Sequence, residues 1–321
     1  MKLRALIVLL ALAVAGCSAG NSNEAGTPSA SPSAVSPETP PASVVETESP
    51  SATPSASETP EPSSHAALNT EGLVALFGFA DEQGTKLMAL TDGIEQGAAR
   101  TENLEGYRLA IGEGGGQVLR IRYEKHQTRT EQDNGRQAAY NFNNMEGDLY
   151  AIEEGRATPN ESYFLVAPEQ FDAASLIPLK PSTDRALPDD VAKKIAEEKE
   201  RAIEQGWLLD HGQDGQRIYV VQFQRQGKDM LASLVWQEGE RLIFLDYPAT
   251  YDEFSTWRVD DGGEISPDMF RFLFAARGAE DGIVLGVQWL GAEGENLRIV
   301  SSSGDRFEET GISDGRYLSP I

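Results

Sequence analysis

The chain has 321 residues, with 51 Asp and Glu against 27 Lys and Arg and a formal net charge of −24. Such an excess of acid excludes nucleic acid as a partner, since that binding depends on neutralising phosphates with Lys and Arg, and it suits a protein kept soluble outside the cell. The single cysteine, Cys17, excludes a disulfide within the chain, so a domain of this length relies on its hydrophobic core.

In chain order, Lys2 and Arg4 form a short positive region ahead of an unbroken apolar run, residues 5–14. This is the build of a signal peptide, and the run falls well short of the roughly twenty residues a helix needs to cross a bilayer core. Directly before Cys17 come Val14, Ala15 and Gly16. The stretch resembles the lipobox of bacterial lipoproteins, in which small residues precede a cysteine. In that family the thiol takes a diacylglycerol group and a signal peptidase cuts before the cysteine, which becomes residue one. The resemblance implies that residues 1–16 are removed and that Cys17 carries the acyl chains, such as palmitate. It also implies that the protein sits on the extracytoplasmic face of the cell membrane, held by a lipid anchor. Two acyl chains suffice for stable attachment. The resemblance covers only about the first twenty residues and carries no information on the fold or role of the remaining chain. Loss of Lys2 and Arg4 would leave 25 basic residues against 51 acidic, a charge of −26.

Residues 17–66 consist almost wholly of Ser, Pro, Ala, Thr and Glu after the cysteine. So few large apolar side chains cannot offset ordering entropy, and the segment reads as a disordered tether. Its reach lies between about 40 Å as a coil and about 150 Å fully extended. No Lys or Arg occurs in residues 5–85, so the tether is no polybasic lipid-binding segment.

The texture changes near residue 67, where a globular domain spanning 67–321 is expected. Two apolar runs flank "ADEQG", a hairpin signal. "YRLAIG", "QVLRIRYE", "QAAYNF", "DLYAIEE" and "SYFLVAP" come next as short strand-like runs separated by Gly, Asn or Asp, the texture of antiparallel sheet. A surface helix is expected at about 188–205: Pro188 suits a first turn, Asp189 and Asp190 complement the dipole, and Gly206 is placed to end it. Its apolar stripe is Val191, Ile195, Ala202 and Ile203, with Glu197 and Arg201 as an i,i+4 pair. A second meander, "RIYVVQFQRQGKDMLASLVWQEGERLIFLDYP", turns around Gly227 and Gly239. "SPDMFRFLFAARG" reads as a short buried helix at about 267–277, with Ser266 as cap, Pro267 in the first turn and Gly278 as stop. A final strand, turn and strand close the chain. The expected fold is α+β, predominantly antiparallel β-sheet with those two helices. A faint echo between the two meanders raises the prospect of two sheet subunits, 67–185 and 186–321.

Chemical signatures are sparse. His65 falls in the tether, His126 in a polar loop and His211 in a turn. There is no metalloprotease, nucleotide-binding or serine-hydrolase motif, and no cofactor or metal is expected. "DHGQDG", which begins at Asp210, has a passing likeness to a calcium loop, but Gly212 and Val221 stand where ligands are required. "DYPATYDEFSTW" gathers Tyr247, Tyr251, Phe254 and Trp257 with Asp252 and Glu253 around a proline that ends a strand. Aromatics beside carboxylates on a loop form a candidate ligand or partner surface. The sequence therefore reads as a lipid-anchored, noncatalytic binding or accessory domain of the bacterial cell envelope, with another envelope protein as the expected partner. The alternatives are an envelope hydrolase using a carboxylate pair and a solute-binding lipoprotein.

Overall fold

The computed structural model describes residues 66–91 and 102–318. Residues 1–65, where the expected signal peptide, the lipidated Cys17 and most of the expected tether fall, and residues 92–101 lie outside the described residues. The described part is mostly β. Six strands close a barrel: β1 (Ala75–Ala80), β2 (Lys86–Ala89), β3 (Leu109–Gly112), β4 (Gln117–Gln127), β5 (Gly147–Ile152) and β6 (Ser162–Val166). Their order around the barrel is β1-β2-β5-β4-β3-β6, every pair antiparallel. Alternation does the sorting, because successive side chains of a strand face opposite ways. Leu76 and Ala80 of β1, Leu87 of β2 and Tyr163 and Leu165 of β6 fill the barrel interior. Phe77 and Phe79, and Phe164 and Val166, face outward.

The rest of the chain forms β7 (Lys180–Pro181), helix α1 (Asp189–Glu198), β8 (Ile203–His211), β9 (Arg217–Phe223), β10 (Asp229–Glu238) and β11 (Arg241–Thr250). It is completed by β12 (Phe270–Arg277), β13 (Ile283–Leu290), β14 (Gly294–Ser303) and β15 (Arg306–Tyr317). These nine strands make one sheet, ordered β12-β13-β14-β15-β11-β10-β9-β8-β7. It consists of two antiparallel meanders joined where β11 and β15 run parallel through a single pair, Phe244 and Arg306. The sheet curls, so that Val220, Leu234 and Leu245 of the first meander share a core with Phe270, Leu285 and Val300 of the second. The outward face of the barrel packs on the other side of β12–β15, against Phe274, Ala276, Val284, Leu297 and Ile299.

Several expectations require correction. The α+β class gives way to a mostly β fold, because the apolar run at 267–277 is not a helix. Pro267–Met269 make one 3-10 turn, and β12 begins at once. Phe270, Phe272 and Ala275 face the core of the curled sheet, while Leu273, Phe274 and Ala276 face the barrel. A strand buried on both faces is as uniformly apolar as a buried helix. Leu273 is the extra residue of a bulge between Phe272 and Phe274, which lets two successive side chains share one face.

The surface helix is real but ends at Glu198, and the expected stretch to 205 is divided between a turn and β8. Glu200 takes a positive φ of 48°. Ile203 and Gly206 lie in the ladder with β9, whose cross-strand pairing overrides local helix propensity. Arg201 accordingly does not pair with Glu197; it clamps the Gln224 and Asp229 carbonyls. Val191 and Ile195 dock α1 onto Tyr219, Val221 and Phe244 of the outer sheet face.

"QAAYNF" is a 3-10 turn at Ala139–Asn141 rather than a strand, so the first half of the apparent echo lacks the strand that its counterpart has. Pro248 does not end its strand, since β11 continues to Thr250. The Tyr251 amide donates to the Lys228 carbonyl, so by alternation Pro248 turns its missing donor away from β10 toward the open edge. His126, next to last in β4, and His211, last in β8, lie within strands instead of in loops.

Candidate functional site

The aromatic loop is held from within. Tyr247 is 6% exposed inside the curled sheet, edge-on to Trp289 at 4.7 Å. Burial pushes its hydroxyl far above the ordinary tyrosine value. The Trp257 indole donates to the Tyr247 carbonyl at 2.9 Å, and Tyr251 lies under the Arg225 guanidinium at 3.9 Å. Asp252 accepts from the amides of Phe254 and Ser255, which holds its carboxyl below the usual range. Asp261, which no sequence pattern marks, accepts from the amides of Thr256, Trp257, Arg258 and Gly263. Glu253 and Phe254 remain in solvent, Phe254 at 70% exposure. The six side chains thus do not converge on one surface: four anchor or shape the loop and two project.

A larger concavity lies where the barrel meets the sheet. This groove of about 740 Å³ is lined by the barrel turn at 113–116 and residues 158–162, by the strap 178–181 and the end of β8, and by the first half of β12. It exists because the curled sheet does not quite close. One edge of β12 is covered in its second half, where the Ala275 carbonyl accepts from Ile177 and the Arg277 carbonyl from Leu68. At the opposite end of the sheet, β8 is covered by the two residues of β7. Between them, residues 270–272 make no backbone hydrogen bond along the groove edge to any other of the described residues.

Most charges around the groove are matched. Arg271 Nη1 lies 3.0 and 3.2 Å from the two carboxylate oxygens of Glu161. Arg185 donates to Asp268 at 2.7 Å, and the Thr158 hydroxyl donates to Glu113. Asp210 differs. It is 9% exposed, lines the groove, and has no side-chain hydrogen bond or ion pair among the described residues. Burial pushes its carboxyl up to about 6, against a smaller opposing pull from Arg185.

A buried polar network fixes the floor. Ser162 donates to one oxygen of Glu295 and Gln288 to the other. Arg316 Nε lies 2.9 Å from Glu295, and its Nη2 donates to the Asn160 carbonyl at 2.7 Å. All four side chains of this cluster are at most 4% exposed. Desolvation lowers the Arg316 pKa, and Glu295 opposes the shift. The network ties β6 of the barrel to β13, β14 and β15. Gly294 permits the close approach of β14 and β15, since a Cβ there would sit 2.0 Å from the Arg316 carbonyl oxygen.

The groove is not legible in the sequence because six separated stretches line it, from the turn at 113–116 to Gln288. One local signal exists: Asp210 comes directly after "WLL" within a strand, and a carboxylate in such a run is either paired or functional. Among the described residues, no group of three or more His, Cys, Asp and Glu side chains is arranged to hold a metal ion. Comparison of the chain with protein-family models, curated proteins and solved structures finds no significant match.

Proposed function

We propose that this chain is a lipid-anchored, extracytoplasmic binding or accessory domain of the bacterial cell envelope, acting noncatalytically through the groove between its barrel and its sheet. The observation that carries the reading is a preorganised concavity of about 740 Å³ whose arginines are already matched by carboxylates. Pockets of this size are the usual sites of recognition. The leader, the lipobox-like residues before Cys17 and the long tether support the location. A two-carboxylate hydrolase needs a second acid free to act, whereas Glu161 and Asp268 are held by arginine and Glu113 by Thr158. Solute-binding lipoproteins are built of alternating βα units, and this fold is mostly β with a single helix among the described residues.

The test is in-cell photocrosslinking from a photoreactive residue replacing Lys180, which is exposed at the groove rim. One defined envelope adduct is expected. It should disappear in Cys17→Ala, which should leave an unprocessed precursor or release the protein from membranes. Membrane-bound, lipid-modified Cys17→Ala protein, or no adduct from the groove, would overturn the reading.

A further inference from the structure

We infer that the groove binds an extended peptide segment of another protein as an added strand along residues 270–272 of β12, with a lysine or arginine of that segment paired to Asp210. This deepens the binding-domain reading and rests on it.

The first support is the unpaired backbone. An exposed strand edge is a template for another chain, and proteins blunt it by covering it or by placing proline there. The groove has both treatments beside the exception. Ala275 and Arg277 of β12 are covered by Ile177 and Leu68, and β7, across the gap, ends in Pro181. Residues 270–272 have neither. Phe270 and Phe272 are buried in the sheet core at 3% and 6% exposure, so this edge is firmly held in extended form. Strand addition draws affinity from main-chain hydrogen bonds and specificity from side-chain pockets.

The second support is charge. Asp210 lines the same groove, almost fully buried, while the nearby Arg185 is committed to Asp268 and Arg271 to Glu161. A buried carboxylate without a partner is costly, and a cation delivered by the ligand would remove that cost. The same argument rules out the tether as that segment. The chain's own residues 17–66 contain Glu24, Glu38, Glu46, Glu48, Glu58 and Glu61 but no Lys or Arg, so neither this tether nor that of a second copy supplies the cation. An acidic protein of net charge −24 attracts a basic segment from elsewhere.

The probes are capped six-residue peptides of alternating Val and Thr with one Lys placed at each position in turn, titrated into the full chain and followed by amide NMR and hydrogen exchange of its residues 66–321. At least one Lys peptide should bind, shift the amides of residues 270–272 and slow their exchange. Replacing its Lys by Glu, or N-methylating its backbone, should abolish binding, and Asp210→Asn should weaken it by about tenfold or more. Absence of binding across the set, equal binding by Asp210→Asn, or protection elsewhere overturns the inference. The Lys180 crosslink separates the two levels: an adduct that persists in Asp210→Asn leaves the binding domain standing without the cation pairing, and no adduct in either protein sinks both.

Discussion

Asp210 carries a free-energy cost that can be measured without any ligand. Its folded-state value of about 6 lies above the roughly 3.9 of an unfolded aspartate. The folded protein therefore binds more protons between those values, and stability falls as pH rises from about 4 to about 6. Below about 4 both states are protonated and the group is neutral to stability. A difference of that size corresponds to about 3 kcal/mol, so Asp210→Asn should be more stable than the parent by up to about that amount at pH 7.5 and equal to it near pH 3.5. Urea unfolding at the two pH values checks this; a less stable variant at pH 7.5 would mean that Asp210 has a partner in the folded state. Arg316 is the opposite case. Its removal leaves Glu295 without its ionic partner at 4% exposure, and breaking a buried pair costs about 3–5 kcal/mol. Arg316→Ala should lose stability on that scale, while the double change Arg316→Met with Glu295→Gln should recover much of it, as read by the same denaturation.

Elements built from local signals were legible in the sequence, and those decided by distant partners were not. The β1–β2 hairpin is written in two apolar runs around "ADEQG", and the turns of β9–β11 fall at Gly227 and Gly239, both at positive φ. The start of α1 is written in Pro188, Asp189 and Asp190, while its end is set by Ile203 pairing with Phe223. β12 shows the limit most sharply. Ser266, Pro267 and Gly278 are good helix punctuation, yet Phe270 and Phe272 share one strand face and the bulge at Leu273 turns Phe274 to the other. What decides between helix and strand is the barrel packed on one face and the first meander on the other, neither of which is local. The candidate loop at 251–257 was legible as a loop, but its burial of Tyr247 and its dependence on Asp261 were not. The groove escaped for the same reason as β12: its walls at 113–116, 158–162, 178–181, 209–210 and 270–273 meet only after the sheet has curled.

At the scale of the whole molecule, barrel and sheet share one core instead of meeting as two finished domains. The outward rings of β1 and β6 need cover, and β12 supplies it: Phe274 lies 5.0 Å from Phe164 and 5.7 Å from Phe171. Phe77 then packs edge-on to Phe164 at 6.0 Å. A barrel without the sheet would leave Phe77, Phe79, Phe164 and Val166 exposed to water, and a sheet without the barrel would leave Leu273, Phe274 and Ile299 so. Truncating a buried phenylalanine costs about 3–5 kcal/mol. Phe274→Ala, although it lies in the sheet, should therefore destabilise the barrel by the same amount. Tyr150, 0% exposed in the barrel core, and Trp236, 1% exposed in the sheet, report the two halves separately when each is followed as its own assigned NMR resonance. Their spectroscopic transitions should coincide in the parent and move together in Phe274→Ala, as two-state unfolding requires. Separated midpoints, with the barrel signal unmoved, would show two independently stable domains, and the groove between them would then be a hinge rather than a preformed site.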